Sequence, residues 1–160
     1  MSWLHKGLTS HYTPNYKQDL SQKRDDLFAA TPPLEAKKML FSFAVTEGIG
    51  FKPNKRDEGM KLDFIDIRRA YYHAEARRKV YIKLPEGDEE EGMCDIICKS
   101  LEGTRDAAQN WEYTYSKFLV NLGFARGKAT LCIFTLNSKQ LRIVVHGDGF
   151  TVLGHTKDLD

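Results

Sequence analysis

The chain has 160 residues, 41% hydrophobic and 29% charged, which accommodates one globular domain with a real core and excludes two comfortable ones. Its net charge of +2 is unevenly spread: residues 1–80 carry 15 Lys/Arg against 10 Asp/Glu, and residues 81–160 carry 9 against 12. Three cysteines argue against a disulfide framework, and no apolar run approaches the roughly 20 residues of a membrane span, so a soluble intracellular protein, cytoplasmic or nuclear, is expected.

Residues 1–26 are polar and show no sustained period, so they read as a tail or an incomplete element. Met1-Ser2-Trp3-Leu4-His5-Lys6 lacks the apolar core of a secretory signal. Thr31-Pro32-Pro33 opens a helix over 34–47, with Leu34, Phe41 and Val45 at helical spacing, and Gly48 and Gly50 are expected to stop it. A charged loop over 52–59 leads to a strand over 61–67, which reads as buried and too apolar for a sheet edge. A basic, helix-like segment follows over 68–76, then a strand over 80–84 and an acidic loop over 88–91.

A short strand over 96–98 precedes Gly103 and a long amphipathic helix over 105–122. The stripe of that helix is Ala107, Ala108, Trp111, Tyr115, Phe118, Leu119 and Leu122, with Trp111 as a core anchor. Strands over 131–135 and 141–145 flank a turn at Asn137-Ser138, and a last strand covers 150–153. Cys94 and Cys98 are spaced C-x3-C with no histidine beside them, so they and Cys132 read as buried structural thiols rather than a zinc site. The order of elements gives an α+β fold, a mostly antiparallel sheet with helices packed on one face.

His146-Gly147-Asp148-Gly149 lies between two apolar runs and so marks a hairpin. Asp66 ends another apolar stretch 82 residues upstream. A carboxylate at a strand end and another at a hairpin tip suit a two-metal site for nucleotidyl transfer, because Mg²⁺ prefers carboxylate and water oxygens. The spacing leaves a second reading open, in which Asp148 serves only the turn. Asp63 lies three residues before Asp66 and faces away from it in a strand. The basic residues Arg68, Arg69, Arg77, Arg78 and Lys79 either track a phosphate backbone or form a solvated face.

Five ordered blocks add a resemblance. Asp66-Ile67-Arg68-Arg69-Ala70-Tyr71-Tyr72-His73-Ala74 resembles a D-V-x-x-A-F-L-x-G segment, and Val80-Tyr81-Ile82-Lys83-Leu84-Pro85 resembles V-Y-M-x-x-P. The run from Lys99 to Trp111, KSLEGTRDAAQNW, is similar to K-S-L-Y-G-L-K-Q-A-P-R-A-W. Leu119, Leu122, Gly123, Phe124 and Arg126 match L-x-x-L-G-F-x-R, and Val144-Val145-His146-Gly147-Asp148-Gly149 stands where a Y-V-D-D or H-G-D-D hairpin is found. Together these resemble the reverse transcriptase of copia-type LTR retrotransposons from about residue 25 to 158.

The resemblance implies a polymerase palm with partial fingers over 27–160, an incomplete fingers element over 1–26, and no thumb or ribonuclease H region. It implies Mg²⁺ (or Mn²⁺) held by Asp66, the Ile67 carbonyl and Asp148, with an RNA or DNA primer–template and dNTPs as partners and no membrane. Tyr71 matches an aromatic gate against the ribose 2′ hydroxyl, and Gly103, Thr104 and Arg105 fall where the family closes over the incoming nucleotide. The basic residues named above would follow the nucleic-acid backbone.

Three departures limit what is carried over. Gly149 replaces the second hairpin carboxylate, Glu102 replaces a usual Tyr, and Tyr16-Lys17-Gln18-Asp19-Leu20-Ser21 stands where the family has a basic fingers strand. Little or no processive polymerisation is therefore expected, since losing one ligand loosens a site that works by positioning. The alternatives are a noncatalytic nucleic-acid-binding retroelement remnant, or an unrelated α+β interaction domain in which Asp66 and Asp148 never meet.

Overall fold

The computed structural model describes residues 8–12, 29–55, 58–84, 86–88 and 91–159. The segment Tyr16–Ser21, expected in place of a fingers strand, lies outside them. The chain divides into two compact units, Met1–Phe28 with Ala70–Thr114 and Ala29–Arg69 with Tyr115–Asp160. Among the described residues no helix is long and apolar enough to cross a membrane.

The first unit holds a three-stranded antiparallel sheet in the order β1 (Leu8–Tyr12), β4 (Met93–Ile97), β3 (Tyr81–Ile82). Residues 8–12 thus form a strand inside a stretch that the sequence presents as a polar tail. Its alternation is masked by Thr, Ser and His, and long-range pairing to β4 supplies the order that local pattern lacks. The expected basic helix over 68–76 shrinks to a 3₁₀ turn at Ala70–His73. Ser100 N–H donates to the Ala74 carbonyl at 2.8 Å and Ala76 N–H to the Cys98 carbonyl at 2.9 Å, so this segment bonds across to the chain after β4 instead of coiling on itself.

The second unit is built on a five-stranded antiparallel sheet in the order β2 (Met60–Asp66), β8 (Gly149–His155), β7 (Leu141–His146), β6 (Ile133–Leu136), β5 (Ala125–Arg126). Helix α1 (Leu34–Val45) packs Ala36 and Leu40 against Met60, Val144 and Leu153, with Phe43, Ala44, Leu62 and Ile133 around them. The helix ends at Thr46, whose N–H and Oγ1 both bond the Ser42 carbonyl, two residues before the glycine expected to stop it.

The register is unbroken along β6, β7, β8 and β2, so residues directly opposite share a face. Val144, Leu153 and Leu62 face α1. Phe134 and Phe150 lie on the other face, where the Tyr115 ring of α2 (Ala107–Asn121) meets both edge-on at 6.0 and 5.6 Å. The α+β class and the antiparallel sheet are as expected, but α1 and the C-terminal part of α2 take opposite faces where packing on one face was anticipated. The central strands are buried on both sides: Val144, Val145, Phe134 and Leu153 are at most 1% exposed.

Two further expectations are corrected. Strand β2 is an edge strand, with Phe64 64% and Ile65 43% exposed, although its composition suggests burial. The edge is blunted locally: the Asp63 carboxylate accepts the Phe64 N–H at 2.9 Å, and Met60 N–H is taken by the Gly50 carbonyl at 2.9 Å. Of the cysteines only Cys132 is buried, while Cys94 is half-buried and Cys98 exposed, because they alternate with the buried Asp95 and Ile97 and so fall on the less covered side of β4 and its continuation.

Candidate functional site

The apolar run Leu141–Val145 is anchored in the core, and it delivers His146 to the end of β7. His146 pairs with Gly149, so Gly147 and Asp148 form a two-residue hairpin turn. Gly147 has φ +64° and Asp148 keeps a negative φ, which is the type II′ pattern. The positive φ demanded by the turn is therefore met at Gly147. Asp148 is free of that demand and projects from an exposed tip.

Strand β2 runs alongside β8 in a register that sets Asp66 directly opposite Gly149. One step further, the Ile67 N–H donates to the Asp148 carbonyl at 3.0 Å. That bond makes 67/148 a hydrogen-bonded pair, so 66/149 is the non-bonded type, in which opposing side chains come closest. The end of the Asp66 strand and the hairpin tip are thus joined by backbone pairing. Asp66, Gly149 and His146 fall in one row on a single face, and Asp66, Asp148 and His146 are all exposed. Asp63 lies on the opposite face, with its carboxylate engaged by Phe64 N–H.

Gly149 breaks the row without being required by the backbone. Its φ is not in the left-handed region, and a Cβ there would meet only the His146 carbonyl oxygen, at 3.6 Å. Two exposed carboxylates are hard oxygen donors of the kind Mg²⁺ takes. Among the described residues no group of three His, Cys, Asp or Glu side chains is arranged to hold a metal ion.

The remaining candidate residues from Tyr71 onward belong to the first unit. Tyr71 is half-buried in the 3₁₀ turn, its carbonyl taken by Ala74 N–H at 3.0 Å. Gly103 and Thr104 sit in one turn: Thr104 N–H and Oγ1 both donate to the Leu101 carbonyl, at 3.0 and 2.7 Å, and Gly103 has φ +87°. Arg105 follows, exposed. The basic run is not uniform. Arg77 lies over the Tyr113 ring with its guanidinium carbon 4.6 Å from the centroid. Arg78 Nε is 3.0 Å from an oxygen of the buried Asp106 carboxylate, a close ion pair whose alignment falls short of a hydrogen bond. Lys79 is exposed, as are Arg68 and Arg69 at the end of the second unit, where Arg69 adopts φ +56°.

Sequence reasoning missed Ser100, Asp106 and Asn110, all buried polar residues of the first unit. Asn110 Nδ2 donates to Ser100 Oγ at 2.9 Å and, at 3.4 Å, to Asp106 Oδ2. The one available signal was the i, i+4 spacing of Asp106 and Asn110 at the helix start, which a solvated helix surface displays as readily.

A model of the family described as "Reverse transcriptase (RNA-dependent DNA polymerase)" matches residues 12–158. The chain is also 21% identical over 106 residues to a "Retrovirus-related Pol polyprotein from transposon TNT 1-94" of Nicotiana tabacum. That match covers 62% of this chain and 8% of the polyprotein, so the chain spans less than a tenth of that relative. No solved structure matches the chain.

Proposed function

Since the chain belongs to the reverse transcriptase (RNA-dependent DNA polymerase) family, we propose that it is a copia-type palm with partial fingers whose reaction is templated addition of deoxynucleotides to a primer 3′ end, weakened or abolished by Gly149. The observation that carries this is the pairing of β2 with β8, which brings Asp66 opposite Gly149 and ties Ile67 to Asp148. That pairing of two stretches 82 residues apart supports carrying the family's carboxylate roles over to Asp66 and Asp148.

In this reading Asp66 and Asp148, with the Ile67 carbonyl, hold Mg²⁺ or Mn²⁺. Bound divalent cations supply Lewis acidity toward the 3′ hydroxyl and charge neutralisation toward the departing pyrophosphate. The protein's part is to fix two carboxylates at the ends of paired strands, since such chemistry depends on position. The Tyr71 ring excludes a ribose 2′ hydroxyl, and Gly103, Thr104 and Arg105 contact the incoming nucleotide. Arg68, Arg69 and Lys79 offer charge to a primer–template backbone. Arg77 and Arg78, engaged by Tyr113 and Asp106, contribute less to that surface.

A second reading, a noncatalytic nucleic-acid-binding remnant, is favoured by Gly149 itself. Primer extension in Mg²⁺ or Mn²⁺ separates the two. Addition of a few nucleotides by Gly149→Asp, little by the native chain and none by Asp66→Asn/Gly149→Asp is the expected pattern. No extension by Gly149→Asp, with salt-dependent duplex binding retained, leaves the remnant.

A further inference from the structure

The turn Leu101–Thr104 is pinned at both ends by one buried polar cluster. At its start, Ser100 N–H bonds the Ala74 carbonyl at 2.8 Å, and Ser100 Oγ donates to the Glu75 carbonyl at 3.3 Å while accepting from Asn110 Nδ2 at 2.9 Å. At its end, Asp106 lies immediately before α2 and offers one carboxylate oxygen both to Asn110 Nδ2 and to Arg78 Nε. Ser100 and Asn110 are each 2% exposed and Asp106 5%. Its backbone carbonyl also takes the Asn110 N–H at 2.9 Å, at the start of the helix. A carboxylate in that place is favoured by the helix dipole, and it balances a guanidinium that burial would otherwise penalise.

We propose that Asp106 is a positioning residue: with Arg78, Asn110 and Ser100 it holds the Leu101–Thr104 turn in the one conformation that presents Gly103, Thr104 and Arg105 to an incoming deoxynucleotide. The inference rests on the function proposed above for those three residues. Gly103 supplies a left-handed φ of +87° with nothing within 4 Å of its would-be Cβ, so the turn closes on itself only through the Thr104 N–H and Oγ1 bonds to the Leu101 carbonyl. Its placement is set from the two anchored ends. Removal of either charged partner frees the end at Asp106 and leaves the other charge partly buried and unbalanced. Because Asp106 and Arg78 act through one contact, their effects are not additive.

The test uses the full chain with Asp106→Asn, Arg78→Gln and the double variant, and Lys83→Ala as a control on an exposed cation of the same unit. Amide hydrogen exchange is read at Thr104 and Ala107, whose N–H groups bond within the turn, and at Val145, which bonds Cys132 in the other unit. Affinity for a fluorescent dATP in Mn²⁺ is read separately from affinity for a primer–template duplex. Each single variant is expected to speed exchange at Thr104 and Ala107 by about tenfold with Val145 unchanged, and to weaken dATP binding by roughly threefold to tenfold, well beyond any loss of duplex affinity, the double variant adding little. Lys83→Ala leaves the turn amides and dATP binding as they were.

Unchanged turn amides in both single variants, additive effects, or equal losses for dATP and duplex overturn the proposal. Should Asp106→Asn fail to fold, Arg78→Gln, whose side chain is one-third exposed, carries the same measurements. A native chain that binds no dATP at all refutes the nucleotide-binding role of the turn and with it this inference. Duplex binding and primer extension would then judge the wider polymerase assignment.

Discussion

Gly149→Asp, placed directly opposite Asp66, is expected to make stability depend on a divalent cation. The two residues form a non-hydrogen-bonded antiparallel pair, in which opposing Cβ atoms lie about 4.5–5.5 Å apart. Two like charges about 5 Å apart repel by about 0.8 kcal/mol in bulk water and about 3 kcal/mol at an effective dielectric of 20. Asp66 is exposed, so the lower figure applies. Replacing a strand glycine returns about 0.5–1 kcal/mol of backbone entropy, and the site offers no steric obstacle. The metal-free variant should therefore unfold within about 1 kcal/mol of the native chain.

Manganese at a hundred times its dissociation constant then adds about 2.7 kcal/mol, or roughly 5–11 °C in Tm for a chain of this length. Thermal unfolding followed by circular dichroism, with and without Mn²⁺, measures the shift in the native chain, in Gly149→Asp and in Asp66→Asn/Gly149→Asp. A large shift in Gly149→Asp alone is the expected result. Equal shifts in all three, or none, refute the inference that residues 66, 148 and 149 surround one cation site.

The edge position of β2 separates two residues of similar hydrophobicity. Leu153→Ala should cost about 2–5 kcal/mol, because the side chain is wholly buried beneath α1, while Phe64→Ala should cost within about 1 kcal/mol, both read by urea denaturation; comparable losses would place β2 inside the sheet. Arg69→Gly, at φ +56°, should leave the fold intact and stabilise it by up to about 1 kcal/mol, and a loss of more than about 1 kcal/mol would mean that the Arg69 side chain pays back its backbone strain.

The sequence was informative where local pattern and chemistry coincide. The hairpin between Leu141 and Leu153, the glycine-borne turn and the Ala107, Trp111, Tyr115, Leu119 line of α2 follow from spacing and turn residues, whereas Phe118 and Leu122, expected on the same stripe, are exposed. The ordered blocks from Asp66 to Gly149 carried the family likeness, and the family match over residues 12–158 agrees with it. Composition failed for β2, since an apolar strand is equally compatible with the centre and the edge of a sheet. It failed also for residues 8–12, whose order comes from pairing with β4 more than 80 positions away.

By itself, then, the sequence determined the α+β class, the two long helices α1 and α2, the hairpin and the identity of the two aspartates worth watching. Only the tertiary structure decided that Ile67 bonds Asp148, that Gly149 stands opposite Asp66 with room for a side chain, and that Arg78 is spent on Asp106. Those facts depend on strand register and on which charges end up buried together. Both arise from contacts between distant segments, and no local period in the chain encodes them.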